Sequence, residues 1–143
     1  MRSFTLVEFL LVIVVMAILI GFGLPLSFGL YKNQQLDITS QGVVQALRDA
    51  QQKAMGVEND SAFGVYFSNN NYILFQGSSF ASRDSQYDEV FDFSKVISRS
   101  GLQEIVFLKN EGLPSATGDI ILSNNSRTKT ININNLGRVN LEL

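Results

Sequence analysis

The chain has 143 residues, a formal net charge of −2, no cysteine and no histidine. Without cysteine it forms neither disulfides nor thiolate metal sites, and without histidine it lacks the commonest general base and metal ligand. The composition therefore disfavours an enzyme, and we expect no cofactor and no metal. The small negative charge gives no sign of a protein that binds nucleic acid or anionic lipid through its overall charge. The length suffices for one domain with one appendage.

A long apolar stretch lies close to the N-terminus. From Phe9 to Leu26, 18 residues carry no charged or strongly polar side chain, enough for about 27 Å of helix, close to the roughly 30 Å core of a bilayer. A buried core helix is disfavoured, because the remaining chain is too short to enclose a helix that is apolar all round. A cleaved secretory signal ending near Ser27 or Gly29 stays open. A retained membrane anchor fits the length best.

Glu8 is the one acidic residue at the front of this stretch. A carboxylate within hydrocarbon costs on the order of 2.5–3.5 kcal/mol and usually has a partner. Arg2 is a poor partner, since residues six apart do not face each other on a helix. Glu8 therefore either lies at the headgroup boundary or pairs with a positive charge from another chain.

The helix is predicted to continue beyond the apolar stretch. Apolar residues recur there at helical spacing and form one stripe, made of Leu36, Val43, Leu47, Ala50 and Ala54. Gly56, which follows the basic Lys53, marks the predicted helix end. One helix is thus expected from about Phe4 to Met55.

The remainder of the chain is predicted to form β structure. Alternation over residues 63–67, followed by a turn and the segment NYILFQ, indicates a hairpin. Further strands are predicted at Tyr87–Phe93, Glu104–Lys109, Asp119–Leu122, Thr128–Asn134 and Arg138–Leu143. The last two are expected to pair, residues 77–86 to form a polar loop, and the strand phenylalanines, Phe91 among them, to lie in the core. The fold class is therefore α+β, with a long N-terminal α-helix packed on a small antiparallel β-sheet domain.

The stretch SFTLVEFLLVIVVMAILIGFGLP resembles the N-terminal methylation motif of type IV pilins and type II secretion pseudopilins. The resemblance implies that a prepilin peptidase cleaves between Ser3 and Phe4 and that the new amine of Phe4 is methylated. It further implies that Glu8 acts in assembly by pairing with the N-terminal amine of a neighbouring subunit, and that Pro25 bends the helix. Ser3 stands where the family normally has glycine.

The resemblance also implies a division of the chain. Residues 1–3 are a short leader, 4–30 a transmembrane and assembly helix, 31–56 an amphipathic helix that continues the spine, and 57–143 a β-rich soluble domain. The implied partners are other pilin or pseudopilin subunits, the prepilin peptidase and an inner-membrane assembly platform. The implied location is the bacterial inner membrane, with a single pass and the soluble domain outside the cytoplasm, and afterwards a pilus or pseudopilus.

The C-terminal half resembles the soluble domain of the FimT/GspH class of minor pilins, on the string EIVFLKNEGLPSATGDIILSNNSRTKTININNLGRVNLEL. The expected function is a structural minor pilin or pseudopilin subunit. Two alternatives stay open: a DNA-binding minor pilin in natural transformation, and a simple membrane-anchored binding domain.

The DNA alternative depends on a few cations near the C-terminus. Some members of this class bind DNA through two arginines that follow a glycine, and here Arg138 follows Gly137 while Asn140 takes the place of the second arginine. Arg127 and Lys129 are the other candidate DNA contacts. Three cations make a weak phosphate site, because affinity scales with their number, and a hairpin turn with a solvated arginine is the simpler explanation.

Overall fold

The structure, a computed structural model, describes residues 5–142, without the side chains of residues 23–27. Its first element is the helix α1, which spans Leu6–Met55. The helix ends where the sequence predicts, with the Gly56 N–H donating to the Gln52 carbonyl at 2.8 Å. The left-handed residue that then turns the chain is Val57, with φ 55°, whereas Gly56 keeps a right-handed φ of −73°.

The first part of α1 contains residues 6–30 of the predicted membrane-spanning segment 4–30. Among residues 5–142, no helix combines the length and the apolarity that crossing a membrane requires. The prediction of a single-pass membrane span is therefore not supported. The helix continues through position 25 without interruption, so the proline there does not end it, although proline removes one helical hydrogen bond.

Within residues 5–142, eight strands follow α1, and all pair in antiparallel fashion. The first sheet has the order β3-β2-β1-β5 and the second the order β4-β6-β7-β8. The strands are β1 Phe63–Phe67, β2 Asn71–Gln76, β3 Asp84–Asp92, β4 Ser98–Gly101, β5 Glu104–Phe107, β6 Gly118–Ser123, β7 Thr128–Ile133 and β8 Val139–Glu142.

The structure confirms the α+β class and both predicted hairpins, β1–β2 and β7–β8. The strands of the predicted antiparallel β-sheet domain divide into two sheets. The predicted loop 77–86 was wrong in part, because it holds a short 3-10 turn at Phe80–Ser82 and the start of β3 at Asp84. β4 was missed because its sequence, SRSG, has no apolar alternation that marks a strand.

The core lies between α1 and the inner faces of both sheets. The predicted apolar stripe of α1 is confirmed, as all five of its members have no exposed surface: Leu36, Val43, Leu47, Ala50 and Ala54. The sheets supply Phe67, Phe107, Ile120 and Ile131, also without exposed surface. Burying each such large apolar side chain stabilises the fold by about 1.5–3 kcal/mol. The second half of α1 is therefore part of the β domain.

The prediction that Phe91 lies in the core was wrong. Phe91 is 38% exposed, although its ring stacks on Tyr72 with centroids 5.0 Å apart. The reason is its place on β3, which is the outer strand of the first sheet and pairs only with β2 among the described strands. Side chains on an outer strand lack a neighbouring strand on one side and therefore stay partly exposed.

Candidate functional site

Glu8 closes the N-terminus of α1 through a capping box with Thr5. The Glu8 carboxylate oxygen Oε2 accepts hydrogen bonds from the Thr5 N–H at 3.1 Å and from the Thr5 hydroxyl at 3.0 Å. The Glu8 N–H donates to the Thr5 hydroxyl oxygen at 3.3 Å. A negative charge at this position also favours the helix dipole. Glu8 therefore has a role inside its own chain that the two sequence-based explanations did not include.

The signal for this capping box was present in the sequence. Thr5 and Glu8 form the pattern Thr-x-x-Glu directly before an apolar run, which is the local signature of a capping box. The interactions join residues only three apart, so no tertiary structure was needed to find them.

The surface of α1 that follows Glu8 is apolar and uncovered by the β domain. Fourteen large apolar side chains between Leu6 and Phe22 are each 46–79% exposed. Contacts with the core begin only at Leu36. Exposed apolar surface of this extent marks an interaction site, because its contact with water is unfavourable. This surface, together with Glu8, is the candidate assembly site.

Two of the predicted site positions lie outside the described residues, and a third is described in its backbone only. Ser3 and Phe4, the predicted cleavage positions, lie outside the described residues, as does the leader 1–3. The Pro25 side chain lies outside the described side chains. Cleavage, methylation and a bend at Pro25 therefore stay predictions.

The structure does not bring the three candidate DNA contacts together. Lys129 is 5% exposed, and its ammonium lies 2.6 Å from the Asp37 carboxylate on α1. The hydrogen bond from Lys129 lowers the pKa of Asp37, and the positive charge of Arg127 lowers it further by a smaller amount. Arg138 lies at the opposite end of β7, where its carbonyl accepts from the Asn134 N–H at 3.2 Å. Lys129 and Asn134, which contacts Arg138, are five residue steps apart, or about 17 Å of extended chain.

The glycine before Arg138 has a structural explanation. Gly137 has φ 75°, a conformation that glycine adopts without strain. The Asn134 side-chain oxygen accepts hydrogen bonds from the N–H groups of Leu136 at 3.0 Å and Arg138 at 2.9 Å, which fixes the turn. A side chain at Gly137 would also come 2.8 Å from the Gly112 carbonyl oxygen. The Gly-Arg-Val segment thus builds a tight turn against a neighbouring loop.

The acidic residues of β3 are partly paired. Asp88 lies 2.8 Å from the Arg83 guanidinium, and Glu89 lies 2.6 Å from the Lys53 ammonium on α1. Within residues 5–142 no three metal-ligating side chains come together as a metal site. Two of the acids of β3 therefore act as ion-pair partners at the surface of the domain.

The fold resembles a solved pseudopilin structure. The chain is similar to the minor pseudopilin EpsH from the type 2 secretion system of Vibrio cholerae, with a TM-score of 0.58 at 10% sequence identity. The match covers 76% of this chain and 96% of that one. Neither a protein-family model nor a curated protein sequence matches the chain. At this identity the similarity shows a shared fold: a long N-terminal helix packed on antiparallel sheets, as in a minor pseudopilin.

Proposed function

We propose that this chain is a structural subunit of a pilin-like or pseudopilin-like filament and has no enzymatic activity. The observation that carries the proposal is the contrast within α1. Its second half is buried against two sheets, whereas fourteen large apolar side chains of its first half, between Leu6 and Phe22, are 46–79% exposed. A helix that is firmly attached to a folded domain and apolar along its free part suits packing against the same helix of neighbouring subunits. The pseudopilin-like fold supports this role.

The proposal includes how the subunit is prepared and where it works. A prepilin peptidase cleaves between Ser3 and Phe4, the Phe4 amine is methylated, and an inner-membrane platform draws the subunit into a pilus or pseudopilus. Before assembly the subunit resides at the bacterial inner membrane, with the β domain outside the cytoplasm. The N-terminal sequence pattern supports these steps, since it carries both the cleavage positions and the acid at position 8.

In this proposal Glu8 both caps its own helix and pairs with the N-terminal amine of a neighbouring subunit. Its carboxylate accepts two hydrogen bonds from Thr5 through one oxygen, Oε2. A carboxylate has about four acceptor directions over its two oxygens, so a cationic amine from a neighbouring subunit binds without breaking the cap. Methylation keeps that amine cationic, and a low-dielectric helix bundle strengthens the ion pair.

Two substitutions separate the cap from the ion pair. Glu8→Gln keeps a side chain that completes a capping box but removes the charge, so the variant should enter filaments poorly. Thr5→Ala removes the cap but keeps the charge, so this matched control should enter filaments nearly as well as the native subunit. The measurement is the amount of each variant in purified filaments, divided by the total amount of that variant in the cells. Normal incorporation of Glu8→Gln contradicts the proposed role of Glu8.

Mass spectrometry of the mature N-terminus tests processing. A mass that begins at Phe4 with one added methyl group is the expected result. A chain that begins after Gly29 indicates a cleaved secretory signal instead, and an intact, unmethylated chain indicates an anchored binding domain outside any filament. Both of those results overturn the proposal.

A further inference from the structure

A hollow lies where α1 meets the β domain, close to the exposed apolar surface of the helix. The Asn124 side chain donates to the Asn33 side chain of α1 at 3.0 Å, which holds the turn between β6 and β7 against the helix. The segment between β3 and β4, residues 93–97, contributes the other wall. The hollow measures about 340 Å³, and Lys32 of α1 and Lys95 both line it. We call it the two-lysine hollow.

The charges around the two-lysine hollow favour an anion. Lys32 and Lys95 are exposed, and within residues 5–142 neither forms an ion pair. Asp92 lines an adjoining hollow together with Lys95, but no ion pair joins the two side chains. Asp37, five residues after Lys32 on α1, is already paired with Lys129. The described side chains therefore give the hollow two positive charges against one neighbouring negative charge, which attracts an anion.

The other residues that line the hollow suit a phosphate that is joined to an apolar group. Asn125, exposed with φ 68°, offers an amide donor. The Ser98 hydroxyl donates to the Ser123 carbonyl at 3.1 Å, so this hydroxyl is already used as a donor. Val96 and Ile97 follow Lys95 and supply apolar surface. Because ammonium groups bind phosphate through short, charge-assisted hydrogen bonds, the hollow combines donors for a phosphate with contacts for the carbon atoms beside it.

The two-lysine hollow lies at the end of the exposed apolar surface of α1. Phe28, Leu30 and Tyr31 are each at least 50% exposed, and Lys32 follows them in the helix. At the rise of an α-helix, Lys32 lies only about 3 Å along the axis from Leu30. Tyrosine and lysine are the side chains that reach from hydrocarbon into the headgroup layer of a membrane. With the apolar surface of α1 in lipid, the hollow lies at the level of the headgroups.

We propose that the two-lysine hollow binds the phosphate group of an anionic phospholipid. The inference rests on the proposed function, because it requires the apolar part of α1 to lie in a membrane. There each lysine adds attraction to an anionic lipid surface, and the membrane presents the phosphate beside the hollow. A soluble phosphate would use the two ammonium groups but not the apolar surface of Val96 and Ile97. The bound lipid holds the β domain at a fixed height over the membrane until the subunit enters a filament.

Native mass spectrometry of the full-length chain in a neutral detergent tests the site. The chain is titrated with phosphatidylglycerol or with phosphatidylcholine, and the fraction of chains that carry one lipid gives each Kd. We expect tighter binding of phosphatidylglycerol, because the choline cation opposes the two lysines. Lys95→Gln should raise the Kd for phosphatidylglycerol about fivefold, and Lys32→Gln combined with Lys95→Gln about 25-fold. Equal affinity for both lipids, or a Kd that the double substitution leaves unchanged, overturns the inference.

Two controls separate a built site from diffuse attraction and from a soluble ligand. Arg127 is exposed two residues after Asn125 but does not line the hollow, so Arg127→Gln should raise the Kd less than Lys95→Gln does. Equal losses in both variants indicate diffuse attraction and overturn the site. Glycerol phosphate lacks acyl chains, and displacement of phosphatidylglycerol by an equal concentration of it would assign the hollow to a soluble phosphate and overturn the lipid.

Filament incorporation of the native chain distinguishes the failure of this inference from that of the proposed function. A chain that enters filaments but does not prefer phosphatidylglycerol refutes the lipid site alone. A chain that binds phosphatidylglycerol through Lys32 and Lys95 but never enters filaments refutes the proposed function and leaves the lipid site standing. Circular dichroism checks that each variant stays folded, which we expect because the substituted side chains are exposed.

Discussion

The Lys129 ammonium on β7 lies 2.6 Å from the Asp37 carboxylate on α1, with the Lys129 side chain only 6% exposed. The pair joins the second sheet to the helix about one turn from another contact, in which the Asn124 side chain donates to the Asn33 side chain at 3.0 Å. A buried ammonium is stable only while its partner is present. The pair thus fixes where α1 leaves the β domain.

Removing the carboxylate of this pair should destabilise the domain more than replacing the lysine. Asp37→Asn leaves Lys129 buried and uncompensated, whereas Lys129→Met fills the same space with an apolar side chain. Thermal unfolding followed by circular dichroism should show a lower Tm for Asp37→Asn. Asp49→Asn is the control on the same helix, because Asp49 accepts only from the nearby Gln45 side chain among the described contacts. A higher Tm for Asp37→Asn than for Lys129→Met would contradict this account.

The same pair predicts a pH dependence. The hydrogen bond from Lys129 lowers the pKa of Asp37 in the folded chain, so its stabilising effect is present above the unfolded pKa, near 4, and is lost as pH falls through the lower folded value. The native chain and Asp37→Asn should therefore differ in Tm at about pH 6. The two Tm values should approach each other as the pH falls below about 4 and through the folded pKa of Asp37. A difference that persists at the lowest pH would show that the ion pair is not its source.

We expect a chain that begins at Lys32 to fold as a soluble domain. It keeps the buried stripe of α1 from Leu36 to Ala54 and omits the exposed apolar surface near the N-terminus. A chain that begins at Val57 should aggregate, because it uncovers the sheet faces that α1 buries. Size-exclusion chromatography and thermal melting of both chains provide the measurement. A monomeric, cooperatively melting chain from Val57 would show that α1 is not needed for the core.

Gly137→Ala should lower the free energy of unfolding by about 1–3 kcal/mol. The residue has φ 75°, and the new methyl group would lie 2.8 Å from the Gly112 carbonyl oxygen. Gly29→Ala is the matched control, since nothing lies within 4 Å of its added methyl group and alanine favours a helix over glycine. Urea unfolding of both full-length variants in detergent gives the comparison. A Gly137→Ala chain as stable as Gly29→Ala would argue against the tight turn.

We predict no appreciable duplex DNA binding at about 150 mM salt. Lys129 is held by Asp37, so Arg127 and Arg138 are the two predicted DNA contacts left exposed, at opposite ends of β7. Two phosphate contacts give a salt slope no steeper than about −2. Fluorescence anisotropy with labelled duplex at low and physiological salt tests this, with Arg138→Ala and Asn140→Arg measured in parallel. Tight native binding that Arg138→Ala abolishes would favour the DNA-capture alternative.

The sequence by itself determined the elements that depend on near neighbours. The stripe from Leu36 to Ala54, the helix end at Met55 and the hairpins β1–β2 and β7–β8 were predictable, because helical spacing, strand alternation and turn residues act over a few positions. The Thr5–Glu8 capping box belongs to the same class, since its three hydrogen bonds span three residues.

Only the tertiary structure decided which predicted faces are covered. Alternation places Phe91 on one face of its strand, but its exposure depends on β3 being the outer strand of the first sheet. Lys129 and Arg127 stand two apart and look equivalent in sequence. Lys129 is buried in an ion pair with Asp37 on α1, whereas Arg127 is exposed. The division into two sheets likewise depends on distant pairings, since β5 pairs with β1 in the first sheet and β4, a polar segment, pairs with β6 in the second. Each outcome depends on partners far apart in sequence, which local patterns do not specify.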